Sequence, residues 1–175
     1  MYFTGMTDKQ IFDATTGQGS EELQKILKIC SETGEWCLIG GLALNTHLEE
    51  PRFTRDADIV FTHEKIGDLC EKLEAEGFKI ERFEYSINIH GLSRVYFQMS
   101  TDVEYKDFPK RAVDKILWGI PVKSACIEDL IKSKILASQE PKRRTSKRIQ
   151  DIADLERIRE EFPEYSNAIP HRDRI

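Results

Sequence analysis

The chain has 175 residues, a formal net charge of −5, 39% hydrophobic and 33% charged residues. That length suits one domain, or one domain with a helical extension, and the apolar fraction supports a core beneath a well-solvated surface. The negative balance excludes a nucleic-acid-binding field spread over the whole molecule, so any such contact falls to a local basic patch.

Residues 1–19 are polar and rich in Gly and Thr, and they predict a lead-in with one short turn near Ile11-Phe12. A helix is expected from Ser20, which can cap it. Glu21 and Glu22 suit its positive end, and Leu23, Ile26, Leu27 and Cys30 form an apolar stripe. A strand should begin at Trp36.

The stretch Cys37 to Thr62 is the most informative. Cys37-Leu38-Ile39 ends at Gly40-Gly41, a signal for a tight strand-to-helix turn, and Leu42-Ala43-Leu44 opens a helix. Without Cβ atoms the two glycines let backbone N–H groups approach a ligand, and a helix start favours anions. Asp56-Ala57-Asp58-Ile59-Val60-Phe61 then has strand character. Residues two apart in a strand face one side, roughly 7 Å apart at Cα, so both carboxylates converge. A phosphate cradle beside two convergent carboxylates is what Mg²⁺-dependent phosphoryl or nucleotidyl transfer requires. His47 reads as a helix-end residue facing the core or the loop, since no second His or Cys lies at ligand spacing.

Gly40-Gly41, the spacing to Asp56-x-Asp58 and the intervening Arg52-Phe53-Thr54 resemble the first motif of the DNA polymerase β-like nucleotidyltransferases. More narrowly, the chain is similar to the AbiEii-type, abortive-infection toxin-like nucleotidyltransferases, whose pattern has a Gly-Gly turn followed by Arg-x-Thr-x-Asp-x-Asp. The resemblance implies nucleotide contacts at Gly40, Gly41, Arg52 and Thr54 and metal binding at Asp56 and Asp58.

Further along, helix is expected over Glu64 to Glu76, with Gly77 as its stop, and strand over Phe78 to Phe83. His90-Gly91 marks a turn before a strong strand ending in Arg94-Val95-Tyr96-Phe97-Gln98-Met99. Members of the superfamily often carry a third carboxylate on such a strand; here Gln98 stands at the expected place. Asp102 shares its parity but lies about 13 Å further on in an extended chain. Ile120-Pro121-Val122-Lys123-Ser124 is short and holds a proline, which predicts a strand at a sheet edge.

The second half turns helical. Ile127 to Ser138 is amphipathic, and a basic break, Pro141 to Arg148, precedes a last helix from about Lys147 to Glu161 that should bury Ile149, Ile152, Leu155 and Ile158. Glu128-Asp129-Leu130-Ile131-x-x-Lys134 resembles the later AbiEii motif in which a helix lysine enters the active site. Lys134 is either that residue or a snorkelling surface lysine. The basic run with Asp151-x-x-Asp154 resembles the closing signature, except that Gln150 replaces its usual lysine. Asp151 either orients Lys134 or a nucleotide, or pairs with Lys147 one turn back. Arg143 and Arg144 are candidates for phosphate, or belong to a solvated loop.

No apolar run is long enough to span a membrane, and MYFTGMTDKQ lacks the basic-then-apolar order of a signal peptide. Cys30, Cys37, Cys70 and Cys126, with no C-x-x-C pair, read as buried free thiols in a reducing cytoplasm. The expectation is therefore an α/β (α+β) nucleotidyltransferase fold: a small mixed β-sheet flanked by helices, with a core over residues 20–125 and a C-terminal helical part over 126–175. The resemblance implies an enzyme that uses an NTP and Mg²⁺, with catalytic roles for Asp56, Asp58, Lys134 and Asp151. It further implies tRNA or protein as acceptor and an antitoxin as partner. Two alternatives stay open: a small-molecule, antibiotic-type nucleotidyltransferase, and a non-catalytic nucleotide-binding module, which the absent third acid and Gln150 favour.

Overall fold

The structure, a computed structural model, describes residues 5–170. The outermost residues of the expected lead-in and of the expected C-terminal helical part, 1–4 and 171–175, lie outside the described residues.

Helix α1 (Asp8–Thr16) and helix α2 (Gly19–Thr33) come first. The expected lead-in is thus a nine-residue helix, and its start is well specified: Thr7 accepts from the backbone of Gln10 while the Gln10 side chain accepts from the backbone of Thr7. That reciprocal pair satisfies two otherwise orphaned donors. Ser20 does not cap α2 but lies inside it. Its amide and hydroxyl both donate to the carboxylate of Asp13, which ties α1 to α2.

Strand β1 (Trp36–Ile39), helix α3 (Gly40–Asn45) and strand β2 (Asp56–Phe61) follow in the expected order, with α3 taking in both glycines instead of opening at Leu42. Helix α4 (Ile66–Ala75) is preceded by a 3₁₀ turn at His63–Lys65. Next come β3 (Lys79–Arg82), β4 (Ser86–His90) and β5 (Tyr96–Ser100), with β6 (Val113–Leu117) and β7 (Ile120–Ser124) after them. Helices α5 (Ile127–Gln139) and α6 (Thr145–Glu161) complete the order before a 3₁₀ segment at Pro163–Ala168.

The strands form one seven-stranded mixed sheet in the order β3-β4-β5-β2-β1-β7-β6. The β2–β5 and β1–β7 pairs are parallel and the rest antiparallel. The expected edge strand β7 is not an edge, because β6 closes that side. β6 is hard to read from sequence, since most of Val113-Asp114-Lys115-Ile116-Leu117 faces solvent. Proline is tolerated in β7 because its pairing with β1 is confined to Leu38 and Ser124, away from Pro121. The β6–β7 turn, Trp118-Gly119, has positive φ at both positions (53° and 82°), the backbone sense that matches strand twist. The Trp118 ring packs 4.6 Å from that of Phe12.

The core is continuous from Phe12, Leu23 and Ile26 through Leu38, Ile59, Phe61 and Leu73 to Leu130, Leu155 and Ile158. One expectation for α6 fails: Ile149 is exposed and Ile152 only half-buried, while Asp151 and Asp154 face inward with Leu155 and Ile158. The inner face of its first turns is ionic, for a reason found in the site. The thiols of Cys30, Cys37 and Cys70 are free and buried, and burial pushes their ionisation up.

Candidate active site

The turn between β1 and α3 sets the geometry. Gly40 has φ of 68°, in the left-handed region, and a Cβ on it would stand 2.5 Å from Oδ2 of Asp58. A side chain is therefore excluded twice, by backbone conformation and by the carboxylate resting against the main chain. A Cβ on Gly41 would stand 2.9 Å from an Nη of Arg52 and 3.2 Å from the hydroxyl of Thr54. The glycine pair lets two charged side chains from the next segment close on the turn. Thr54, buried, accepts at Oγ1 from the amide of Asp56 and so fixes the start of β2.

β2 presents Asp56 and Asp58 on one face by its two-residue period. Parallel pairing sets Tyr96 beside Asp56 and Gln98 beside Asp58, and antiparallel pairing sets Asn88 beside Gln98. Gln98 donates to Oδ1 of Asn88 at 3.0 Å. The position where a third carboxylate was expected is thus filled by an amide held by another amide. Asp102 is no substitute: it caps the following 3₁₀ turn by accepting from the amide of Glu104. Among the described residues no group of three or more His, Cys, Asp or Glu is placed to hold a metal.

Asp58 is the electrostatically stressed member of the pair. Burial, and then the charge of Asp56, push its carboxyl up to about 6, against the opposing pull of Lys134, Lys147 and Arg143. Asp56 receives a hydrogen bond from Nζ of Lys147, 2.5 Å away.

α5 and α6 supply the far wall. Lys134, nearly buried, sits between Asp151 (2.9 Å) and Asp154 (2.7 Å). Asp154 also receives Nε and Nη2 of Arg52 at 2.6 and 2.9 Å, a two-pronged contact across 102 residues of sequence. Burial acts to push the Asp154 carboxyl up, but the hydrogen bond from Arg52 and the charge of Lys134 prevail and hold it below its usual range. Asp151 receives Nε of Arg143 at 2.8 Å. This is why acids, not isoleucines, line the inner face of α6: the helix docks over cations that hydrophobic side chains would leave unpaired.

Of the two readings of Lys134, the geometry is that of the inward one, and Asp151 faces Lys134 and Arg143 instead of Lys147. The guanidinium of Arg52 is engaged by Asp154, although it still borders the cleft. Of the basic run, Arg148 donates to the carbonyl of Ser138 near the end of α5. His47 meets the carbonyl of Ala125 at 2.9 Å, and burial pushes its ionisation down.

These groups border two adjoining clefts. The first, about 340 Å³, is lined by Gly40, Gly41, Thr54, Asp56, Asp58, Lys134, Arg143, Ser146, Lys147 and Asp151, among others. The second, about 450 Å³, opens on the β5 side and is lined by Arg55, Asp56, Asp58, Tyr96, Gln98, Arg143, Arg144 and Lys147. Asp56 and Asp58 stand between them, so a bond made or broken at the carboxylates is reachable from both. Arg144 belongs only to the second. Lys147 is the residue whose partner the sequence did not reveal. Its one-turn spacing to Asp151 suggested a local pair, and nothing local points across 91 residues to Asp56.

None of the curated proteins matches the chain significantly in sequence. Solved structures do resemble it. ANT(2″)-Ia in complex with adenylyl-2″-tobramycin superposes with a TM-score of 0.64 at 19% identity, over 86% of this chain and 93% of that one. The lincomycin-bound lincosamide antibiotic adenylyltransferase LnuA gives 0.54 at 17% identity, over 78% and 95%. An antigenic nucleotidyltransferase-like protein from Paracoccidioides brasiliensis gives 0.50 at 20%, over 85% and 92%. At these identities the likeness is one of fold, and the fold is that of nucleotidyltransferases. Residues 23–172 match the family described as nucleotidyl transferase AbiEii toxin, type IV TA system. The chain belongs to the AbiEii nucleotidyl transferase toxin family and is a nucleotidyltransferase.

Proposed function

We propose that the protein transfers a nucleoside monophosphate from an NTP to a hydroxyl of tRNA or of a protein, with Mg²⁺, as a cytoplasmic toxin-like enzyme held in check by an antitoxin partner. The observation that supports this most is the placing of Asp56 and Asp58 between two clefts, one walled by the Gly40-Gly41 turn and the other by cations and Tyr96.

The donor set suits Mg²⁺: two carboxylate side chains, open on the cleft side, with a cation, the Lys147 ammonium, already resting on one of them. Asp56 and Asp58 would hold the metal, whose contribution when bound is to offset phosphate charge and lower the pKa of an attacking hydroxyl. The residues of the chain do the rest. Gly40 and Gly41 let triphosphate approach the main chain at the start of α3. Arg143, on the border of both clefts, faces phosphate oxygens from the α6 side, and Lys134 adds positive potential from behind. Asp151 orients both of those cations, and Thr54 keeps Asp56 in register.

The acceptor side discriminates between readings. Arg55, Arg143, Arg144 and Lys147 give the second cleft a positive lining, which repels a polycationic aminoglycoside and suits an anionic acceptor such as tRNA. The antibiotic-type reading keeps support from the fold likeness to ANT(2″)-Ia and LnuA, but the charge of this cleft argues against it.

The test offers α-labelled ATP, CTP, GTP and UTP in turn, with Mg²⁺, to wild type and Asp58→Ala in the presence of total RNA and protein extract. Wild type should label an RNA or protein species, and Asp58→Ala should lose on the order of 10³-fold in rate, several kcal/mol of charge stabilisation. Label appearing only when an aminoglycoside or lincosamide is added would sink the macromolecular acceptor.

A further inference from the structure

The cations around the clefts are not equivalent. Arg52, Lys134 and Arg143 each pair with Asp151 or Asp154, carboxylates that are almost wholly buried. Arg148 is engaged at the end of α5. Lys147 alone among these pairs with a carboxylate on the open face of the site, and the pair is open to solvent: the Lys147 side chain is 44% exposed and that of Asp56 36%. An exposed pair of this kind is held weakly. Its position on α6 points the same way. Lys147 lies in the first turn of the helix, where the positive end of the helix dipole disfavours a cation and no acidic residue offsets it. Helix stability therefore does not explain it. The lysine also borders both clefts, which Lys134 does not.

Resting on the metal- and NTP-binding reading above, we propose that Lys147 is the movable cation of the site. It neutralises Asp56 while the cleft is empty, yields that carboxylate to a divalent cation, and then turns its ammonium to the phosphates of the incoming nucleotide. Lys147 thus competes with metal for Asp56 and cooperates with nucleotide, two effects of opposite sign from one side chain. It also supplies on α6, one turn earlier, a positive charge that position 150 lacks: Gln150 borders the same cleft, and its amide donates only a long hydrogen bond to Asp154.

Titration calorimetry on the full chain tests this with Mn²⁺ alone, and then with a non-hydrolysable NTP analogue in saturating Mg²⁺. For Lys147→Met, Mn²⁺ should bind about threefold to fivefold more tightly than to wild type, the worth of an exposed ion pair, while the analogue binds about tenfold more weakly. Lys147→Arg should keep both affinities near wild type, and Gln150→Lys placed on Lys147→Met should recover part of the nucleotide affinity. Mn²⁺ affinity unchanged or weakened in Lys147→Met, with the fold intact by circular dichroism, overturns the proposal. If wild type and Asp56→Asn take up Mn²⁺ equally poorly, the metal reading of Asp56 itself fails, a result separate from any behaviour of Lys147.

Discussion

The Lys134–Arg52–Asp151–Asp154 cluster and the Asp56–Asp58 pair border the same cleft, yet they are satisfied to very different degrees. In the cluster, each carboxylate meets two cations at 2.6–2.9 Å, and Asp154 is wholly buried. In the pair, like charges stand two residues apart on one strand, and the weak Lys147 contact is the sole ion pair they make among the described residues. The difference separates charge used to assemble the molecule from charge left facing the cleft. A buried carboxylate with its partners in place is a structural clamp. A carboxylate left under electrostatic stress in a cleft is a candidate for a functional role.

The comparison breaks most readily at Asp154. Asp154→Ala leaves Arg52 without its carboxylate and Lys134 with half its partners, and it should destabilise the protein by about 3 kcal/mol. Asp56→Ala should change stability by less than about 1 kcal/mol, because it removes only an exposed pair. Urea unfolding of both variants decides the matter, and equal losses would end the distinction. Gly40→Ala comes next in size. The left-handed backbone and the Asp58 carboxylate both oppose the new methyl, at a cost of about 1–2 kcal/mol. Transfer activity should fall further than stability does, since Asp58 must move; the readouts are the melting temperature and labelled-NTP transfer.

A further effect is one of pH. Asp58 binds its proton up to about pH 6 when folded, against an ordinary value of 3.8. Between those values the folded state holds more protons, so stability from this group is greatest at low pH and is lost as pH rises through about 6. Metal-free melts of wild type should show that downward slope relative to Asp58→Asn, while transfer by wild type should decline below about pH 6, where the carboxyl is protonated. Added Mg²⁺ should flatten the stability slope.

The sequence was most readable where function leaves a local pattern. Gly40-Gly41 and Asp56-x-Asp58 stand within one strand–turn–helix–strand unit, and period and turn chemistry place all four residues. Lys134 was half legible: the register with Leu130 and Ile131 turns it inward, but the register does not say what it meets. Arg52–Asp154 and Asp56–Lys147 were not legible, because a pair separated by 91 to 102 residues leaves no spacing to read. The misplaced Ile149 has the same origin. An apolar repeat predicts a buried face only where the opposing surface is apolar, and here it is ionic. Helix α1 was missed although Thr7-x-x-Gln10 signalled its start. β6 was missed because an exposed edge strand offers little alternation.

Those long-range pairs bear on the order in which the protein becomes competent. The turn, the two acids and all seven strands of the sheet lie before residue 125. Arg52 finds its carboxylate, and Asp56 its lysine, only when α6 docks. During synthesis the chain therefore carries Asp56 and Asp58 before it carries the helix whose lysine faces them. The cleft is complete only once the last long helix has added Ser146, Lys147, Gln150 and Asp151 to its lining.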